Sequence, residues 1–136
     1  MKAKARLVAR GFSQREGIDY FDTFSPCPSA ASIRLLAAIA CELDLVLCHF
    51  DAEQAFVQSE LDEEIYLRLP KGCGSMPGKV VRLPKSLYGL KQASRSCHKH
   101  LGSGMKALGF KQSEADPCVL RLQKDEIVSA VVVVHV

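Results

Sequence analysis

A chain of 136 residues, 48% apolar and 24% charged, is about one domain long and carries enough apolar side chains for a modest core. Its longest apolar run, residues 127–136, is interrupted by Ser129 and His135 and is too short to span a bilayer. The basic start MKAKARLVARGF lacks the apolar stretch of a secretory signal, so neither a membrane span nor secretion is expected, and the net charge of +3 matters less than its distribution.

Residues 1–16 hold Lys2, Lys4, Arg6, Arg10 and Arg15 against one acid, Glu16. The spacing of Ile33, Leu36, Ala37, Ala40 and Cys41 then predicts a helix over 29–44, with Ser29 or Ser32 as its cap. The apolar run 45–50 reads as a strand that ends in Asp51. Two readings of Asp51 are open: a strand-end aspartate capping the next turn, or a metal-binding carboxylate. It begins an acidic stretch, Asp51, Glu53, Glu60, Asp62, Glu63 and Glu64, whose last four members read as a solvated turn.

A strand follows over 64–70, closed by Pro70, then a Gly/Pro-rich loop over 70–79 and a short strand over 79–83. Residues 65–113 carry ten Lys or Arg and no acid, which suits either a polyanionic partner such as nucleic acid or a solvated basic face. Ala93, Cys97, Leu101, Met105 and Leu108 form one stripe of a helix over 91–108. Gly102 and Gly104 cost that helix roughly 2 kcal/mol relative to alanine, and His98 and His100 on it are expected to face solvent or nucleic acid. Residues 118–123 and 127–136 form a hairpin turning at Lys124-Asp125, its valine-rich second strand expected to be buried on both faces yet to lie at or near a sheet edge. Helices and strands mix without a βαβ rhythm or a phosphate-binding glycine loop, so the fold class is α+β. The six cysteines include no CxxC pair and are expected to be reduced core residues.

Taken together, KARLVARGFSQREGIDYFDTFSP (4–26), SIRLLAAIA (32–40), DAEQAF (51–56), ELDEEIYLRLPKG (60–72), SLYGLKQASR (86–95) and LGFKQSEADPCV (108–119) resemble the reverse transcriptase of copia-type LTR retrotransposons. The ordered blocks run from about residue 4 to the last residue. The resemblance implies part of the fingers and palm of a right-hand polymerase, with an antiparallel palm sheet and packed helices. It implies RNA-directed DNA polymerisation from dNTPs on an RNA template and DNA primer. Two Mg²⁺ ions about 3.5–4 Å apart would stabilise the attacking and leaving oxygens.

By that resemblance Asp51 is the catalytic, metal-binding carboxylate and the Ala52 carbonyl is a further ligand. Phe56 lies under the deoxyribose, or simply packs in the core, and Ala55 leaves room for the sugar. Tyr88, Gly89, Lys91 and Gln92 belong to the segment against the incoming nucleotide and template base, although Lys91 also fits a solvated helix start. Lys4 and Arg6 match the basic segment that neutralises the triphosphate, or else a basic strand without a ligand. Glu114 and Asp116 in SEADPC are assigned no chemical role.

The sequence departs from the family pattern at Ser94 for proline, Cys97 for tryptophan and the Gly102-Ser103-Gly104 run. The family's other carboxylates stand in a Y-V-D-D turn, and His135-Val136 falls where its Tyr-Val would be. Residues 1–136 are therefore expected to form a partial domain without thumb or RNase H regions, itself inactive. The alternatives are a non-specific, salt-sensitive nucleic-acid-binding module and a relic without function. Localisation by analogy is a cytoplasmic virus-like particle or the nucleus.

Overall fold

A computed structural model describes residues 5–70, 72, 78–125 and 127–136. The chain divides into two compact units, one formed by residues 1–24 and 54–97 and the other by residues 25–53 and 98–136. Its content is mixed, with antiparallel sheets and three α-helices among the described residues, as an α+β chain requires.

The first unit is built on a β-hairpin. Strand β1 (Glu60–Arg68) pairs with β2 (Val80–Lys85), placing Ile65 opposite Leu83 and Leu67 opposite Val81. Leu61, Glu63, Ile65 and Leu67 face inward, so β1 begins four residues earlier than its apolar pattern suggests. The acid at the inward position 63 conceals the alternation, and a register irregularity between Glu60 and Ile65 hides it further. Glu60, Asp62, Glu63 and Glu64 are accordingly strand residues rather than a solvated turn. Ala9, Ile65, Leu90 and Ala93 form the core, with Phe56, Leu61, Leu67, Leu83 and Leu87 packed on it. A single helical turn, α2 (Ala55–Gln58), precedes β1, and the first residues of α3 (Ala93–Ala107) complete the unit. The basic strand expected near the N-terminus is not formed over 5–10; that segment leads into a 3₁₀ turn, Gly11–Ser13.

In the second unit, α1 (Ala30–Glu42) starts where the sequence places it. Ser29 Oγ accepts from the Ser32 amide at 3.0 Å, a standard N-cap. It ends in a Schellman turn: Asp44 takes a left-handed φ of 50°, Leu45 N–H donates to Ala40 C=O and Asp44 N–H to Cys41 C=O. A three-stranded antiparallel sheet, β3 (Lys111–Gln112), β4 (Val119–Lys124) and β5 (Ile127–Val133), fills the rest, its hairpin turning through Asp125.

Two expectations fail in this unit. The run 45–50 is not a strand, and Val46 and Phe50 are each 87% exposed; no partner ladder satisfies its backbone, and apolar character alone does not make a strand. Strand β5 is not buried on both faces, since Ile127, Val128 and Val131 are exposed; it ends the strand order β3-β4-β5 as an edge.

Helix α3 runs unbroken through Gly102-Ser103-Gly104, with Ala93 and Cys97 buried but Leu108 exposed. His98 is half-buried rather than solvated, and burial holds its imidazole below the ordinary pKa; His100 is exposed as expected. The described cysteines are free thiols, but only Cys97 and Cys118 are core residues; Cys27, Cys41 and Cys48 are exposed, Cys41 on the uncovered side of α1 and Cys48 in the unpaired 45–50 run. Among the described residues no helix is long and apolar enough to cross a membrane.

Candidate functional site

The turn 86–92 gathers most of the sequence-predicted positions. Ala9 N–H donates to Tyr88 C=O at 2.7 Å, locking segment 8–11 against the turn. The approach is closed by a pair of glycines. A Cβ on Gly11 would fall on the Gly89 carbonyl oxygen, and a Cβ on Gly89 would fall on the Ala9 carbonyl oxygen. Gly89 also adopts φ 89°, a conformation glycine reaches without strain.

This backbone packing brings three candidates together. The Arg6 guanidinium carbon lies 5.8 Å from the centroid of the Tyr88 ring. Tyr88 meets Phe56 edge-to-face, with centroids 4.9 Å apart and planes at 87°. Phe56 and Tyr88 are half-buried, Arg6 and Gly89 are exposed, and Ala55 precedes Phe56 on α2. Arg6 lies over the Tyr88 ring that Phe56 meets edge-to-face, so one cation and two aromatic rings share a partly exposed patch. The Ser86 hydroxyl is buried without a hydrogen-bond partner among the described residues, while Ser59 Oγ donates to the Phe56 carbonyl at 2.8 Å. Lys4 lies outside the described residues.

Lys91 and Gln92 sit in a different environment. Lys91 Nζ donates to the Tyr20 hydroxyl at 3.0 Å and lies 4.8 Å from that ring's centroid. Gln92 is 2% exposed; its amide accepts from Gln14 and donates to the Asp19 carbonyl and to Glu63. Next on α3, Arg95 reaches Asp22 at 2.9 Å and Asp62 at 3.9 Å. The Phe24 amide and then Arg95 hold the Asp22 carboxyl below its ordinary pKa. The blocks GFSQ, GIDYFD and YGLKQ are thus tied together by side chains rather than by a sheet.

Asp51 and Ala52 belong to the second unit, both exposed and outside regular structure. Asp51 offers the hard oxygen that Mg²⁺ takes. Among the described residues, however, no three His, Cys, Asp or Glu side chains gather as a metal site, so the residues present do not make a two-ion centre. Within residues 65–113, Arg82 pairs with Glu64 at 3.1 Å and Arg95 with Asp22 at 2.9 Å.

The sequence reading missed Asp116, which is 6% exposed. Its Oδ2 accepts from the Ser29 amide at 3.0 Å and the Ser32 hydroxyl at 2.6 Å, and Oδ1 accepts from the Cys118 amide at 2.9 Å. The carboxylate joins the start of α1 to the start of β4. The Ser32 hydroxyl, then the Ser29 and Cys118 amides, hold its pKa below the ordinary range. Burial, then the Asp116 charge, pushes the Cys118 thiol up. The signal in the sequence is the D-P-C arrangement, an aspartate able to accept from an amide two residues on; its reach across 84 positions to Ser32 has no local sign.

Comparison with known proteins follows the same lines. The family model described as "Reverse transcriptase (RNA-dependent DNA polymerase)" matches residues 1–135. The chain is 43% identical over 122 residues to the "Retrovirus-related Pol polyprotein from transposon TNT 1-94" of Nicotiana tabacum, covering 88% of this chain and 9% of that one. It is 39% identical over 123 residues to the "Retrovirus-related Pol polyprotein from transposon RE2" of Arabidopsis thaliana, covering 89% and 8%. It is 32% identical over 121 residues to the "Truncated transposon Ty1-A Gag-Pol polyprotein" of Saccharomyces cerevisiae, covering 87% and 10%. The chain therefore spans about a tenth or less of the length of these relatives. No solved structure matches it significantly.

Proposed function

Because this chain belongs to the reverse transcriptase (RNA-dependent DNA polymerase) family of transposon Pol polyproteins, we propose that it contributes the nucleotide-contacting part of an RNA-directed DNA polymerase, in the fingers and palm. The observation that carries the reading is the Arg6–Tyr88–Phe56 stack beside the Gly89 backbone. Arg6 neutralises the triphosphate, together with Lys4. Tyr88 and Phe56, in contact with each other, form one platform for the sugar and base, Ala55 leaves room for the sugar, and the exposed Gly89 lets the ligand approach the main chain. Lys91, restrained by Tyr20, adds a further positive charge at the far end of the same turn, and Gln92 serves from beneath it. The partners are a dNTP, an RNA template and a DNA primer, within a cytoplasmic virus-like particle or the nucleus.

Asp51 and the Ala52 carbonyl would hold Mg²⁺, which supplies the charge stabilisation that phosphoryl transfer needs. One carboxylate does not hold two ions, so the 136-residue polypeptide by itself is proposed to bind nucleotide without extending a primer. Photo-crosslinking with an azido-substituted dATP tests the assignment. Label is expected on the peptide bearing Tyr88, displaced by excess dTTP, with no primer extension in Mg²⁺. Label confined to the second unit, or primer extension that Asp51→Asn abolishes, would contradict it.

A further inference from the structure

Gln14 and Gln92 make a chain of amides whose polarity is fixed at both ends by backbone groups. The Lys91 N–H only donates, so the Gln14 atom facing it at 2.8 Å is Oε1. The Asp19 carbonyl only accepts, so the Gln92 atom facing it at 2.9 Å is Nε2. The two remaining atoms then meet correctly, Gln14 Nε2 donating to Gln92 Oε1 at 3.0 Å. The second Gln92 hydrogen points to Glu63 Oε2 at 3.4 Å, on the inner face of β1. Neither amide can be turned over without setting donor against donor or acceptor against acceptor. Glutamine is the residue this geometry demands, since each side chain must both donate and accept at a buried or half-buried position.

What this chain of bonds controls is the turn. Lys91 is joined through its main chain to Gln14 and through its ammonium to Tyr20. Tyr88 is joined through its carbonyl to Ala9, five residues before Gln14. The segment 9–20 therefore grips the turn 88–92 at both ends, and the Gln14–Gln92 pair also reaches β1, through Glu63. We propose that Gln14 and Gln92 are positioning residues: the oriented amide pair fixes the turn that carries Tyr88, Gly89 and Lys91, and neither side chain touches the nucleotide. The geometry is independent of the functional reading, and the consequence for nucleotide affinity rests on it.

Gln14→Glu tests the pair directly. The variant keeps the shape and the acceptor for Lys91 N–H but loses the donor to Gln92 Oε1. Protonation of the new carboxyl restores an O–H donor, and the facing acceptor and partial burial raise its pKa. The titratable groups around the pair are Glu63, Asp19, Lys91 and Tyr20, all present in the unaltered chain, which serves as the control. Lys91 amide and Gln92 side-chain NH₂ resonances are followed by ¹H–¹⁵N NMR between about pH 5 and 8, a range in which a raised carboxyl pKa is read. Expected is a titration of both signals in Gln14→Glu, toward the unaltered positions at low pH, that the unaltered chain and Gln14→Leu do not show. Affinity for dTTP is expected to fall about tenfold at the upper pH and to recover at the lower one, as loss and return of one buried hydrogen bond requires. If Gln14→Glu does not fold at neutral pH, refolding on acidification reports the same regained donor.

Signals that never titrate, or dTTP affinity in Gln14→Glu equal to that of the unaltered chain throughout, overturn the proposal. If the unaltered chain binds no dTTP, the nucleotide reading fails, while the NMR titration still decides the role of the amide pair.

Discussion

Gly89→Ala is expected to unfold the unit formed by residues 1–24 and 54–97. The new methyl would sit at φ 89°, on the Ala9 carbonyl oxygen and 2.6 Å from Val8 Cγ1. The left-handed backbone costs an alanine about 1–2 kcal/mol, and overpacking a rigid contact adds about 1–3 kcal/mol. The Ala9–Tyr88 hydrogen bond stands in the way of any relief, because moving either strand of backbone breaks it. A loss of about 2–5 kcal/mol is a large share of the stability of an ordinary domain. Urea denaturation should show a much lower midpoint, or no folded baseline. Gly11→Ala meets the same crowding without a positive φ and should be milder. A midpoint unchanged by Gly89→Ala would mean that segment 8–11 does not press on the turn, and the Arg6–Tyr88 contact would lose its basis.

Asp116→Asn should be the most damaging isosteric change in the other unit. The carboxylate accepts from three donors on two elements. An asparagine has one oxygen, so its NH₂ must face either the Ser29 amide or the Cys118 amide, donor against donor in a buried place. A fall in melting temperature on the order of 10 °C is expected. The pH dependence follows from the lowered pKa. The folded state holds the ionised form more tightly than the unfolded chain does, so the stabilisation is complete above the ordinary value of 3.8 and is lost as pH falls through the lower folded value. Acid should therefore erode the stability of the unaltered chain in that window and leave Asp116→Asn comparatively flat. Equal melting temperatures would show that α1 and β4 are held by other contacts.

The elements that the sequence disclosed are those whose signals are local. Ser29 caps α1 through an amide three residues away, the stripe of α3 repeats every four residues, and the 118–136 hairpin has its apolar strands and polar turn in series. Where the deciding partner is distant, the reading fails. Residues 45–50 have strand composition but no ladder, and β1 extends beneath a half-buried acid, Glu63, that accepts from Gln92. Asp116, Gln14 and Tyr20 act through partners 71 to 87 positions away, which no local pattern in the sequence marks. The functional motifs were legible by resemblance, but which of them meet was not. Arg6, Phe56 and Tyr88 come together, whereas Gln92 is buried under the turn and Asp51 belongs to the other unit.

Calorimetric titration of the 136-residue chain with dTTP tests the nucleotide assignment most directly, with Arg6→Ala, Tyr88→Ala and Asp51→Asn run beside it in metal-free buffer. Saturable binding is expected, weakened about tenfold by Tyr88→Ala through loss of stacking and cation–π contact, weakened also by Arg6→Ala, and unchanged by Asp51→Asn. Binding that is indifferent to Tyr88→Ala and Arg6→Ala would contradict the account.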